Sequence, residues 1–283
     1  MMSKKTNFLV IGFCLLIISS CSKNTKRAIS QDNNLSESIK VAIEKEQNDI
    51  SVTPSHKKLT VNNPHGNIYI RKTEEPFVGV FSTMQLIGED AEEAKINIEN
   101  NSKNIKIDIS YSSDKTIGVN TLINGHKKGR VDLVVYVPKQ LIIKLKTTYG
   151  SINVKRIDNE VDLSTTSGSV KLSSRGRLNI ETVSGDVYAY LIEPKWNKKS
   201  KIISDSGNLI ITFPELSSLD LKVSSKNSIL SNFNLESTLK NDSHIFENES
   251  KKNPLSISNL TGQIKLVEIK KHKVQFSQEE KTP

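Results

Sequence analysis

Three serines beside glycines are the residues of this chain whose setting fits a nucleophile: Ser167 and Ser169 flank Gly168, and Ser184 precedes Gly185. A serine hydroxyl attacks only when a base within hydrogen-bond reach takes its proton. The histidines, His56, His65, His126, His244 and His272, are scattered with no motif near those serines. Carboxylates offer a second chemistry. Asp162, Glu181, Asp186 and Asp205 recur at intervals suited to successive layers of a repeat, and an acid and base about 5 to 9 Å apart would serve glycoside cleavage. They differ in position, however: Asp186 directly follows a glycine, Asp162 and Glu181 fall on the preceding apolar run, and Asp205 lies in a turn. No calcium loop, P-loop or metal-ligand pair occurs, so neither a metal nor a cofactor is expected.

The glycines that these residues surround belong to a repeat. Apolar residues stand seven and five positions before the glycine and two and four after it, with a small polar residue three before it. Around Gly150 these are Ile143, Leu145, Thr147, Ile152 and Val154; around Gly168, Val161, Leu163, Thr165, Val170 and Leu172; around Gly185, Leu178, Ile180, Thr182, Val187 and Ala189. Gly66 and Gly262 follow the same pattern, Gly207 keeps most of it, and a degenerate copy sets Leu221, Val223, Ser225 and Leu230 about Ser228. Strict alternation signals half-buried strands, and recurrence near 20 residues signals stacked repeats. The expected fold is all-β: a single-stranded, β-helix-like β-solenoid, each coil turning a corner at its glycine, with an additional N-terminal β-sheet layer. Recurring corners are scaffold, so the Ser-Gly-Ser motif reads as a turn rather than a reactive loop.

The residue three before each glycine, namely Asn63, Thr147, Thr165, Thr182, Ser204, Ser225 and Asn259, shares the parity of the inward apolar positions. These side chains are expected to point into the corner as a polar ladder, satisfying groups that would otherwise cost about 1 to 3 kcal/mol each when buried. Between Gly66 and Gly150, Gly88–Lys95 reads as a short helix or turn. Lys95–Glu99, Asn104–Ser110 and Arg130–Val137 alternate as strands, and Pro138 closes the last of them.

The N-terminus carries Lys4 and Lys5, an apolar run from Phe8 to Ile18, and Ser19-Ser20-Cys21. The run is too short for a bilayer span of about 20 residues and has the layout of a secretory signal over residues 1–20. Ile18-Ser19-Ser20-Cys21 resembles a bacterial lipobox, which makes Cys21 the expected lipidation site, palmitate being one such acyl chain. Each buried acyl methylene contributes about 0.8 kcal/mol, so two or three chains hold a domain on a membrane. The only other cysteine, Cys14, would be removed with the signal, leaving no thiol for a disulfide, zinc or a nucleophile. Without Lys4 and Lys5 the chain keeps 38 basic against 31 acidic residues. That balance suits anionic lipids, glycans or other acidic polymers; nucleic acid is not expected of an exported chain. Residues 21–55 read as a tether with some helix, 56–270 as the repeat domain and 271–283 as a polar tail.

Val131-Asp-Leu-Val-Val-Tyr-Val-Pro138, then Leu141–Val154 and the Thr-x-Ser-Gly-Ser/Asp-Val units, resemble the bacterial putative adhesin domain family over roughly residues 56 to 270. The resemblance implies a β-solenoid and an envelope location and brings no catalytic residues; some members sit beside envelope-stress regulators. Ser22, where some inner-membrane lipoproteins carry aspartate, favours the outer membrane by the same kind of resemblance. Outward positions offer ligand-binding candidates: Lys144, Lys146, Lys171, Tyr188 and Tyr190, with Trp196 in a long loop. Tyrosine faces beside lysines suit sugar rings and anionic groups, and tyrosines also simply cover sheet surface. The function expected is a lipid-anchored, non-enzymatic binding, adhesion or scaffold module, its partner an anionic glycan or a protein. The alternatives are an accessory of envelope-stress signalling and a polysaccharide-active enzyme.

Overall fold

The computed structural model describes residues 40–88, 105–112, 115–123, 129–248 and 250–269. Within them the chain forms twenty-one strands and one short 3-10 turn, and no α-helix. Period-two patterning dictates the strands. In β10 (Val161–Thr165), β12 (Leu178–Thr182) and β14 (Ser200–Ser204) every second residue is buried, so each strand has one face for an interior and one for solvent.

Strands come in pairs that make coils: β2 (Lys58–Asn62) with β3 (Ile68–Lys72), β6 (Thr116–Ile123) with β7 (Gly129–Val137), and β8 (Ile142–Thr147) with β9 (Ile152–Ile157). Next are β10 with β11 (Val170–Ser174), β12 with β13 (Val187–Leu191), β14 with β15 (Leu209–Phe213), β16 (Asp220–Ser225) with β17 (Ile229–Ser231), and β20 (Pro254–Asn259) with β21 (Ile264–Glu268). The second strands join one 10-stranded sheet, here sheet A, and the first strands join an 11-stranded sheet, sheet B. Coil to coil the strands run parallel with like residues in register: Ile143 beside Val161 beside Leu178, and Ile152 beside Val170 beside Val187. The core lies between the sheets, with these residues fully buried. Each such side chain contributes about 1.5 to 3 kcal/mol relative to exposure.

Coil order departs from chain order at both ends. From β7 onward sheet A runs β7-β3-β9-β11-β13-β15-β21-β17, so β2–β3 lies between β6–β7 and β8–β9, and β20–β21 inserts between β14–β15 and β16–β17. The outer edges carry antiparallel strands: β1 (Lys40–Ser51) on β4 (Phe77–Gly88) on β7, β5 (Ile105–Ser112) on β6, and β18 (Thr238–Lys240) on β19 (Ser243–Glu247) on β16. The N-terminal strands therefore extend both sheets of the stack.

Two expectations need correction, and others fall on residues that are not described. Residues 40–51 are not tether with helix but strand β1, paired along its length with β4. Leu230 faces outward and Ile229 is the buried residue, paired with Ile264, because the degenerate corner is one residue short. Of the expected helix or turn at Gly88–Lys95 only Gly88 is described, as the end of β4; the rest of it, the strand Lys95–Glu99, the signal segment, Cys21 and the tail 271–283 lie outside the described residues.

Candidate functional site

The corner between sheets B and A holds the serines first considered. Gly66, Gly150, Gly168, Gly185, Gly207 and Gly262 stack in a column, and a Cβ on any of the last five would fall 1.6–2.2 Å from the carbonyl oxygen of the glycine below. Only Gly66 among the described glycines has a positive φ, 138°. At the last five, glycine is required for close approach between coils and not for the bend expected from the sequence; at Gly66 the backbone conformation requires it as well.

Three polar columns line the glycines. Inside, Thr147, Thr165, Thr182 and Ser204 are buried, and their hydroxyls accept the N–H of Gly150, Gly168, Gly185 and Gly207 at 2.9–3.1 Å. Asn259 Oδ1 does the same for Gly262 at 2.8 Å, and Asn63 and Ser225 complete the buried set. Outside, Ser167, Ser184 and Ser206 donate their hydroxyls to Thr148, Thr166 and Val183 carbonyls one coil away at 3.1–3.2 Å. In the third column Asp132, Asn67, Asp186 and Asn208 accept backbone N–H groups of the neighbouring coil, and Ser169 Oγ meets Ser151 Oγ at 3.1 Å. The serine hydroxyls are thus structural partners. Of the histidines, His56 accepts the Thr53 N–H at 3.0 Å, His65 stacks on Tyr149 with centroids 5.3 Å apart, and His244 lies in β19. His126 and His272 lie outside the described residues.

Three of the four candidate carboxylates are equally committed. Asp162 accepts from Asn179 at 2.6 Å, Glu181 pairs with Lys201, and Asp186 holds the Asn208 N–H at 2.8 Å. Asp162 and Glu181 stand on the outer face of sheet B, Asp186 and Asp205 in the corner. No group of three or more His, Cys, Asp or Glu able to hold a metal occurs among the described residues.

The two outer faces differ in charge. On sheet B, Arg177 pairs with Glu160 and lies 4.0 Å from Asp162, and Lys222 pairs with Glu247 at 3.4 Å. On sheet A, Arg71, Lys155, Arg156, Lys171 and Lys265 have no ion-pair partner among the described residues, Arg130 pairs with Asp132, and Tyr136, Tyr188 and Tyr190 are exposed; on sheet B, Lys144 and Lys146 are likewise exposed without an ion-pair partner. Lys72, at the end of β3, is a bound cation instead: its hydrogen bond to Glu74, then that carboxylate's charge, raises its pKa above the ordinary lysine value.

Six residues expected to share a surface divide three ways. Lys171, Tyr188 and Tyr190 stand on sheet A, Lys144 and Lys146 on sheet B. Trp196 packs against the core, its indole N–H donating to Pro254 O at 3.2 Å. Lys171 Nζ lies 5.7 Å from the Tyr188 ring centroid. Both belong to a shallow, open depression of about 420 Å³ whose other lining includes Asn153, Lys155 and Ser173.

The depression adjoins a bulge. Leu172 pairs with Val154 but Ser174 pairs with Ile157, so Lys155 and Arg156 together face Ser173. Both are exposed while Ile157 stays buried. Arg156 has φ 51°, the one positive φ inside a strand among the described residues, and its N–H donates to Ser173 Oγ at 2.8 Å. A left-handed non-glycine residue costs about 1 to 2 kcal/mol.

A family model for Toastrack DUF4097 matches residues 18–267. The chain belongs to the Toastrack DUF4097 family. A search of curated proteins found no match. Among solved structures, a putative cell adhesion protein from Clostridium sporogenes aligns over 80% of this chain and 100% of its own, at 14% identity and TM-score 0.41. A putative adhesin from Bacteroides fragilis aligns over 79% and 97%, at 12% identity and TM-score 0.27. One from Parabacteroides merdae aligns over 80% and 96%, at 10% identity and TM-score 0.26.

For this Toastrack chain, sequence reading missed Asn153, Lys155, Arg156 and Ser173. A signal for two of them was present: Val154 and Ile157 are three apart where the repeat spaces its apolar residues by two. That extra residue is the mark of a bulge.

Proposed function

We propose that this protein is a lipid-anchored, non-enzymatic binding module of the bacterial cell envelope, in which the outer face of sheet A meets the partner. The observation that carries this reading is the asymmetry between the faces. Among the described residues five cations without an ion-pair partner and three exposed tyrosines gather on sheet A, while sheet B, with Lys144 and Lys146 in that state, sets Arg177, Lys201 and Lys222 against Glu160, Glu181 and Glu247. Such a face attracts an anionic polymer through charge and holds it through ring contacts. The enzymatic alternative finds less support, because the candidate serines and three of the four candidate carboxylates are engaged by backbone, amide or lysine partners. Envelope placement rests on the signal-like N-terminus and Cys21, with the outer membrane the preferred site.

Adherence of the lipidated protein to a panel of envelope glycans and matrix proteins, before and after K171A/Y188A, tests the reading. Loss of adherence to at least one acidic glycan is expected. Unchanged adherence to every member of the panel would remove sheet A as the contact face. Protease shaving of intact cells reports whether the domain is exposed at the surface, as adhesion requires.

A further inference from the structure

We propose that the β9 bulge is a subsite for the carboxylate of a uronate unit in an acidic polysaccharide, with a sugar ring two units along the chain seated on Tyr188. The proposal rests on the reading of sheet A as the contact face and names the ligand class for it.

A regular strand would send Lys155 outward and Arg156 into the interior. The bulge turns both outward, keeps Ile157 in the core, and does so with Arg156 held at φ 51° by the hydrogen bond from its N–H to Ser173 Oγ. Bulges of this kind re-aim side chains near functional sites, and an arginine in a conformation suited to glycine is an outlier that points to a use for its side chain. Three cations, Lys155, Arg156 and Lys171, surround Ser173 without ion-pair partners among the described residues. Arg71 donates to Asn153 Oδ1 at 3.3 Å and so fixes which end of that amide accepts, leaving its NH₂ as a donor at the rim of the depression. The set is donor-rich, shallow and open, which suits one oxyanion on an extended chain.

The Tyr188 ring stands on β13, two strands from the bulge, opposite Lys171 of β11 in register and with Lys171 Nζ over it. Strands are about 4.8 Å apart, about the length of one pyranose unit in an extended polysaccharide. A chain crossing the strands from β9 toward β21 would place its acid at the bulge, a ring face on Tyr188, and a later unit near Lys265. Carbon–hydrogen faces of sugars pack on aromatic rings, and carboxylates take charge-assisted hydrogen bonds from arginine and lysine.

Calorimetric titration of the full chain in detergent with oligogalacturonate, and with its methyl ester, tests the assignment. Binding of the free acid is expected to weaken as salt rises, and the ester is expected to bind at least about tenfold more weakly. R156G suits the backbone conformation and removes only the side chain; it is expected to keep the wild-type melting curve or raise it, and to weaken free-acid binding about tenfold. K144A/K146A removes two charges from the opposite sheet and is expected to leave affinity within about twofold. No binding of the free acid, equal binding of the ester, or equal loss in K144A/K146A and R156G would each overturn the subsite. Unchanged affinity in R156G with loss in Y188A would overturn the subsite and leave the contact face standing. Unchanged affinity in both variants would remove both.

Discussion

Gly168 has no positive φ, yet alanine cannot be seated there, because its Cβ would fall 1.7 Å from Gly150 O. Neighbouring coils would have to part, so G168A is expected to cost about 3 kcal/mol, a fall of roughly 6–12 °C in Tm for a domain of this size. T165V keeps the shape but leaves the buried Gly168 N–H without its acceptor at 3.1 Å, and about 1 to 3 kcal/mol is expected to be lost. S167A removes an exposed hydroxyl bond to Thr148 O and is expected to cost under about 1 kcal/mol. Thermal melts of the three variants check this order; a larger loss in S167A than in T165V would contradict the ladder. The buried set was legible in the sequence because parity alone sends Thr165 and its equivalents inward. The reason for the glycines was not legible, since a residue type does not distinguish a positive φ from a neighbouring carbonyl.

At the scale of elements, each strand's register followed from alternation, and which sheet a residue faces followed from its side of the glycine. Lys144 precedes Gly150 and Lys171 follows Gly168, so their separation onto sheets B and A was implicit in the repeat. The order of the coils was hidden because every coil presents the same parallel edges and apolar parity, and so stacks equally well wherever its ends reach. The inserted β20–β21 coil has a built-in reporter: Trp196, the only tryptophan, receives its contacts from Asn253 and Pro254 at the start of β20. I257A removes a buried residue of that coil at a cost of about 2 to 5 kcal/mol. Because contacts in a solenoid are mostly between neighbouring coils, Trp196 fluorescence in I257A is expected to change at lower urea than the far-UV circular dichroism. Coincident transitions would mean that the stack unfolds as one unit.

For the whole molecule, a two-sheet stack offers two broad faces; in the proposed function a lipid on Cys21 attaches the protein and sheet A makes the contact. C21S is expected to move the protein from the membrane to the soluble fraction, because the proposed anchor places every acyl chain on that one cysteine, and each buried methylene contributes about 0.8 kcal/mol. Retention of C21S in the membrane fraction would point to a different anchor. Contact through sheet A is tested most directly by lysine-reactivity footprinting of the full chain by mass spectrometry, with and without polygalacturonate. Contact through sheet A is expected to protect Lys155, Lys171 and Lys265 while Lys144, Lys146 and Lys201 on sheet B stay reactive. Protection confined to sheet B, or equal protection of both faces, would contradict it.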